Sequence, residues 1–242
     1  MFLFLFLATK TPGQKRSNLV DLVPRLTTQH PDMTSEKDLR AEELWSRGHE
    51  FLESGSSDDA KKAFLALFDK GDWRGAYMLG WLSEKNGRTA NNEYIEAARW
   101  YDRALSLSEC APPHEALGRY YYFGLGGYYD YRAAFEHLQR SDQNAVVKIM
   151  TAELLAHGLG VHQDVERAKV LYRDAGKSGY PAAWLGLMSL EKSNGNYFQV
   201  AVYFVRSLVS IIRLILKDRG DPRLTGIGGS RGTLRRNWVG KQ

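Results

Sequence analysis

ALGRYYYFGLGGYYDYRAAFEHLQRS, residues 116–141, and MTAELLAHGLGVHQDVERAKVLYRDA, residues 150–175, are one pattern written twice. Gly124 falls on Gly158, Leu125 on Leu159, Gly126 on Gly160, Asp130 on Asp164 and Ala134 on Ala168, each displaced by 34 residues. Taken alone, the segment from His157 to Asp164 suggests chemistry, because glycines let backbone N–H groups approach an anion and His with Asp binds metals. The earlier copy keeps the glycines and the aspartate but has Phe123 and Tyr128 where His157 and His162 stand. A cofactor loop has no reason to recur at a fixed period, whereas a turn joining paired helices does. Gly158 and Gly160 are therefore read as ending one helix and reversing the chain, with Asp130 and Asp164 capping the next.

Working outward, the same step takes Ala152 to Gly186, and Gly80 and Gly48 occupy the corresponding place in two earlier copies, 38 and then 32 residues apart. After each of these small residues comes a second apolar-periodic segment, beginning at Asp58, Ile95, Tyr131, Val165 and Phe198. Ala168, Leu171, Tyr172 and Ala175 stand at i, i+3, i+4 and i+7, one face of an α-helix, as do Ala97, Trp100, Tyr101 and Ala104. No stretch keeps a period of two, so no strand is predicted. The unit is helix, turn, helix, repeated about five times between residues 40 and 217. Gly80, Gly118 and Gly186 inside first helices each cost about 1 kcal/mol relative to Ala, so their recurrence predicts close helix packing that compensates. A lone unit cannot bury its own apolar face, which makes stacking obligatory.

With the copies aligned, the chain resembles the Sel-one-like repeat family, a branch of the tetratricopeptide-type α-solenoids. The resemblance rests on Gly158, Gly160, Val161, Asp164, Ala168, Leu171, Tyr172, Ala175 and Gly179, then Leu185 and Gly186. In the preceding copy Leu117, Gly118, Tyr121, Gly124, Gly126, Asp130 and Ala134 repeat it, and Leu79, Gly80, Trp100 and Tyr101 carry it into the second. Outward the pattern loosens: the second unit has the longer turn NGRTANNEY, the fifth has KSNGN, and the third has His137 and Leu138 at the aromatic pair. The resemblance covers roughly residues 41–210 and implies an all-α, right-handed solenoid that is non-catalytic. Such a scaffold or adaptor holds a protein or peptide on its curved surface and needs no cofactor.

Composition agrees with a soluble repeat body of 242 residues, 43% apolar. The formal charge of +5 is concentrated at the end, where residues 213–241 hold eight basic residues against Asp218 and Asp221. Basic overall charge is therefore no sign of a nucleic-acid-binding domain, and no specific nucleic-acid binding is expected. The single Cys110 excludes an internal disulfide and any multi-cysteine zinc site, and reads as a small apolar residue. Residues 1–32 read as a disordered N-terminal extension. Their opening run MFLFLFL has no basic residues before it, lacks a cleavage site and is too short to span a bilayer. Met33 precedes a capped helix and is a candidate biological start. The repeat domain is assigned to residues 33–217 and a flexible basic tail to 218–242. A cytoplasmic location is expected, with membrane association or export as the alternative.

Candidate contact residues lie in the densest aromatic cluster, where Tyr121 takes a core position and Tyr120, Phe123, Tyr128 and Tyr129 are assigned to a partner-binding surface. The histidines at 30, 49, 114, 137, 157 and 162 show no metal spacing, and no catalytic or metal residue is nominated. The apolar segment 198–216 admits three readings: a closing helix, a partner or membrane-surface helix, or a membrane span. A span would place Arg206 and Arg213 in hydrocarbon at roughly 2.5–3.5 kcal/mol each. The alternative function is accordingly a membrane-associated regulatory or assembly subunit that uses this helix or the N-terminal run.

Overall fold

The computed structural model describes residues 36–86, 91–218 and 221–224. Expectations for the extension 1–32, the start at Met33 and most of the tail 218–242 lie outside the described residues, as does the middle of the long turn after Asn86. Ten α-helices follow one another without a strand among the described residues: α1 (Glu36–Glu53), α2 (Ser57–Asp69), α3 (Trp73–Asn86), α4 (Asn91–Leu107), α5 (Ala111–Phe123), α6 (Tyr131–Arg140), α7 (Ala145–His157), α8 (Val165–Lys177), α9 (Pro181–Ser193) and α10 (Tyr197–Lys217). A 3₁₀ turn, Pro222–Leu224, packs back on α9 and α10. Each odd-numbered helix packs most extensively on the helix that follows it, and the pairs stack in chain order. This is the five-unit α-solenoid expected from the repeat.

Glycines mark the points where paired helices approach. A methyl group placed on Gly80 of α3 would lie 2.6 Å from the Tyr101 ring of α4, and one on Gly48 of α1 would lie 2.4 Å from the Phe64 ring of α2. On Gly118 of α5 it would lie 2.7 Å from Leu138 of α6, so Leu138 fills the slot that an aromatic ring fills elsewhere. Phe64, Leu138 and Tyr172 stand eight residues after their N-caps Ser56, Asp130 and Asp164, and all three are buried. The last slot is used differently. Gly186 of α9 receives Tyr172 from the preceding α8, while Gly176 of α8 receives Trp184 of α9.

The turns read from the glycines form as expected. Gly158 caps α7 in the left-handed region at φ 65°, and Leu159 N–H bonds Leu154 O at 2.9 Å, which satisfies carbonyls at the helix end. Gly124 does the same for α5 at φ 61°. Asp130 and Asp164 then accept from Ala133 N and Arg167 N, both at 2.9 Å. The loops close by matching bonds, Asp130 N to Tyr121 O at 3.3 Å and Asp164 N to Leu155 O at 2.9 Å. Gly160 has a second duty that a turn alone does not explain: an added methyl would sit 2.3 Å from Arg132 N, on the first turn of α6. The turn of one unit is thus wedged on the helix start of the unit before it.

The core runs the length of the array in three linked clusters, one spanning α1 to α5, one between α5 and α7, and one from α7 to α10. Tyr121 borders the first two, and Phe135 and Val161 border the last two. Substituting Gly160→Ala combines left-handed strain with a backbone clash and is expected to cost about 2–4 kcal/mol. Gly55→Ala, at φ 82° with open space around it, should cost only about 1 kcal/mol. Urea denaturation of the two variants measures the difference, and equal losses would show that Gly160 is no wedge.

Candidate functional site

The cluster at 120–131 is divided by the fold into core and surface. Tyr120 is only 5% exposed, its hydroxyl is packed over Gly126, and its ring meets Tyr121 edge-on at 5.2 Å. Its assignment to a contact surface is corrected: α5 turns that side chain toward the neighbouring helices, so it is a core residue. Phe123 is half-buried against Tyr122 at 4.8 Å. Tyr128, 57% exposed, and Tyr129, 37% exposed, remain on the surface of the α5–α6 turn. The Tyr129 ring leans on Gly124 and packs at 5.7 Å from Tyr131, while Tyr128 lies 6.5 Å from Tyr121. Both rings are thus held by the capped turn.

A polar seam crosses successive first helices. Arg119 of α5 donates to both carboxylate oxygens of Glu84 of α3, at 2.8 and 2.7 Å, and Tyr101 OH donates to Glu84 at 2.9 Å. Burial opposes the Arg119 charge, but Glu84 and the flanking tyrosines outweigh it and hold the pKa above its ordinary value. Burial, reinforced by Glu84, likewise pushes Tyr101 up. Asn144 caps α7 through Val146 N and Val147 N and also donates to Glu115 at 2.8 Å; Tyr122 OH donates to Glu153 of α7 at 2.8 Å. Sequence reasoning missed this seam, since charges from positions 84, 115, 119 and 153 share no local motif.

The histidines also sort themselves. Buried His114 places Nδ1 2.8 Å from His137 Nδ1 and Nε2 3.1 Å from Glu109 Oε1, tying α5 to α6. His157 and His162 stand on either side of the glycine turn, and no group of three or more His, Cys, Asp or Glu is placed to hold a metal among the described residues. Cys110 precedes α5, and burial pushes its thiol up to about 11, so it is protonated at neutral pH.

A further surface lies at the end of the array. On α10, Tyr203 stacks on Trp184 at 5.9 Å, Leu214 is buried, and Ser207 donates to Pro181 O at 3.4 Å. Phe204, Val205, Leu208, Ile212, Ile215 and Leu216 are exposed, the last at 80%. Beside them opens a groove of about 600 Å³ between α8, α9 and α10, lined by Trp184 and by Lys177, Arg206, Arg213, Lys217 and Arg223. α10 is long and apolar enough to cross a membrane by length and composition, yet one face of it is docked on α9.

No protein-family model and no curated protein matches the chain by sequence. Solved structures match it by fold. The c5321 protective antigen of uropathogenic Escherichia coli, which displays an SLR fold, aligns with TM-score 0.59 at 20% identity over 72% of this chain. The chain spans 40% of that protein's length. A Sel1 repeat protein from Oxalobacter formigenes aligns with TM-score 0.51 at 20% identity, over 72% of this chain and 73% of its own. The fold is the Sel-one-like repeat fold. MamA aligns as well, with TM-score 0.53 at 17% identity, over 74% of this chain and 95% of that one.

Within the Sel-one-like array His137 is expected to make the third unit sensitive to pH. Burial first, then His114 and Arg140, lower the His137 pKa from 6.5 to about 4, with Glu136 and Glu109 opposing. The unfolded chain therefore takes up this proton first as pH falls. Stability that is fully present above pH 6.5 is lost progressively down to about pH 4. Between pH 7 and 5 the loss assigned to this ring is about 1 kcal/mol after allowance for solvent screening. Denaturation of His137→Gln at the two pH values should show a correspondingly smaller fall than the native chain, and an identical fall would remove His137 as the cause.

Proposed function

We propose that the chain is a non-catalytic repeat scaffold that holds a protein or peptide partner, with the α5–α6 turn as a principal contact. The observation that carries this reading is the pair of exposed rings, Tyr128 and Tyr129, on a turn fixed by the Gly124 cap, the Asp130 cap and the Asp130 to Tyr121 closure. Tyrosine supplies large contact area with few rotors to immobilise, and a pre-ordered ring loses less entropy on binding. The adjoining turn at 157–164 has the same backbone closure but carries His157, His162 and Gln163 instead, so the neighbouring unit does not repeat this aromatic surface. The likeness to Sel-one-like structures supports a scaffold, because stacked helix pairs provide an extended surface. The protonated state of Cys110 fits a chain without a thiolate nucleophile.

Affinity purification with quantitative mass spectrometry tests the proposal. Tyr128→Ala together with Tyr129→Ala should leave helical content unchanged and lower recovery of the specific partner about tenfold, the effect of losing one strong contact residue. Undiminished recovery would remove the turn as the contact. Tyr120→Ala is the opposite case, expected to destabilise the fold by about 3–4 kcal/mol through a core cavity.

A further inference from the structure

α10 differs from every other second helix in what it leaves uncovered. At 100° per residue, Tyr197, Phe204, Leu208, Ile212, Ile215 and Leu216 fall within a stripe spanning about 120° of the helix surface. All six are exposed. Along one edge of the stripe runs a row of cations, Arg206, Arg213 and Lys217, which faces Lys177 and Arg223 across the groove. Arg206 is held over the rings of Trp184 and Tyr203 at 5.3 and 5.9 Å, so its charge has a fixed place. α10 contains no acidic residue; Asp218 follows it, and Asp221 is engaged by Arg223. The chain beyond Leu224 adds Arg231, Arg235, Arg236 and Lys241 and no acid.

The geometry points to α10 as a docking helix for an anionic bilayer surface, with the apolar stripe entering the headgroup boundary and the groove cations meeting lipid phosphates. An apolar face bordered by cations is the pattern of a helix lying in the interface plane. A second copy of this chain is a poorer occupant, because its α10 would bring an equally apolar stripe with the same cationic row and no carboxylate to pair with it. Crossing the bilayer is disfavoured by geometry, since the Tyr203, Ser207 and Leu214 face is committed to α9. This surface is separate from the tyrosine turn, and either reading can fail without the other.

Flotation of the purified full chain with vesicles of phosphatidylcholine alone, or of phosphatidylcholine with phosphatidylglycerol, decides the matter. Binding should be at least about tenfold stronger on the anionic vesicles and should weaken as salt is raised. Leu208→Glu with Ile212→Glu removes the stripe, and Arg213→Glu with Lys217→Glu reverses the row; all four positions are exposed, and circular dichroism checks that the helices remain. Each pair should lower anionic-vesicle binding about tenfold. Failure of the native chain to bind, equal binding to neutral vesicles, or full binding by both paired variants would overturn the assignment. So would retention in vesicles after alkaline carbonate extraction, which marks a spanning helix. A dimer abolished by the Leu208 and Ile212 changes, without vesicle binding, would assign the stripe to a second copy instead.

Discussion

The array depends on small residues that allow bulky side chains to cross between helices. Gly48, Gly80 and Gly118 let Phe64, Tyr101 and Leu138 lie where a Cβ would clash, so each pair closes tightly around one large group. The helical propensity sacrificed at each glycine is about 1 kcal/mol, less than the roughly 1.5–3 kcal/mol gained by burying one such side chain. Packing therefore wins over propensity. Because the large group stands eight residues after its cap in α2, α6 and α8, the cap sets the helix start and the start sets which side chain reaches the slot.

That chain of dependence explains why most of the fold was legible. The Gly and Asp signals at 124, 130, 158 and 164 act locally, through left-handed backbone and side-chain capping, and local effects leave marks in a sequence. The 34-residue step then fixed the order of units. What was not legible acts across units. Gly160 resting on Arg132 and Gly176 admitting Trp184 are close approaches whose partners are set by stacking. The Glu84–Arg119–Tyr101 seam joins side chains from three helices, with no spacing that announces it.

The proposed contact surface was half legible for the same reason. An aromatic-rich helix end is visible as composition, but the side that meets the neighbouring helices is not. Tyr120, Tyr121 and Tyr122 are consecutive and point in different directions, so Tyr120 and Tyr122 are buried while Tyr121 is only partly so. Tyr128 and Tyr129 stay outside because the capped turn, rather than a helix, carries them. His137 shows that a departure from the repeat pattern need not loosen a junction. It stands at the aromatic pair, yet it joins α5 through His114, and Leu138 beside it fills the slot.

At the last unit the rules of the interior reach their limit. Phe204 stands eight residues after its cap Asn196, the register that buries Tyr172, but Gly186 has already received Tyr172 from α8. α10 therefore seats Tyr203 on Trp184, and Phe204 turns outward at 55% exposure. With the knob displaced, the whole apolar face that follows it is presented on the outside. The charged residues of α10 lie along one edge of that face, beside a cationic groove. The register shift that completes the packing of the last unit is thus also what places an apolar stripe and a basic row side by side at the end of the solenoid.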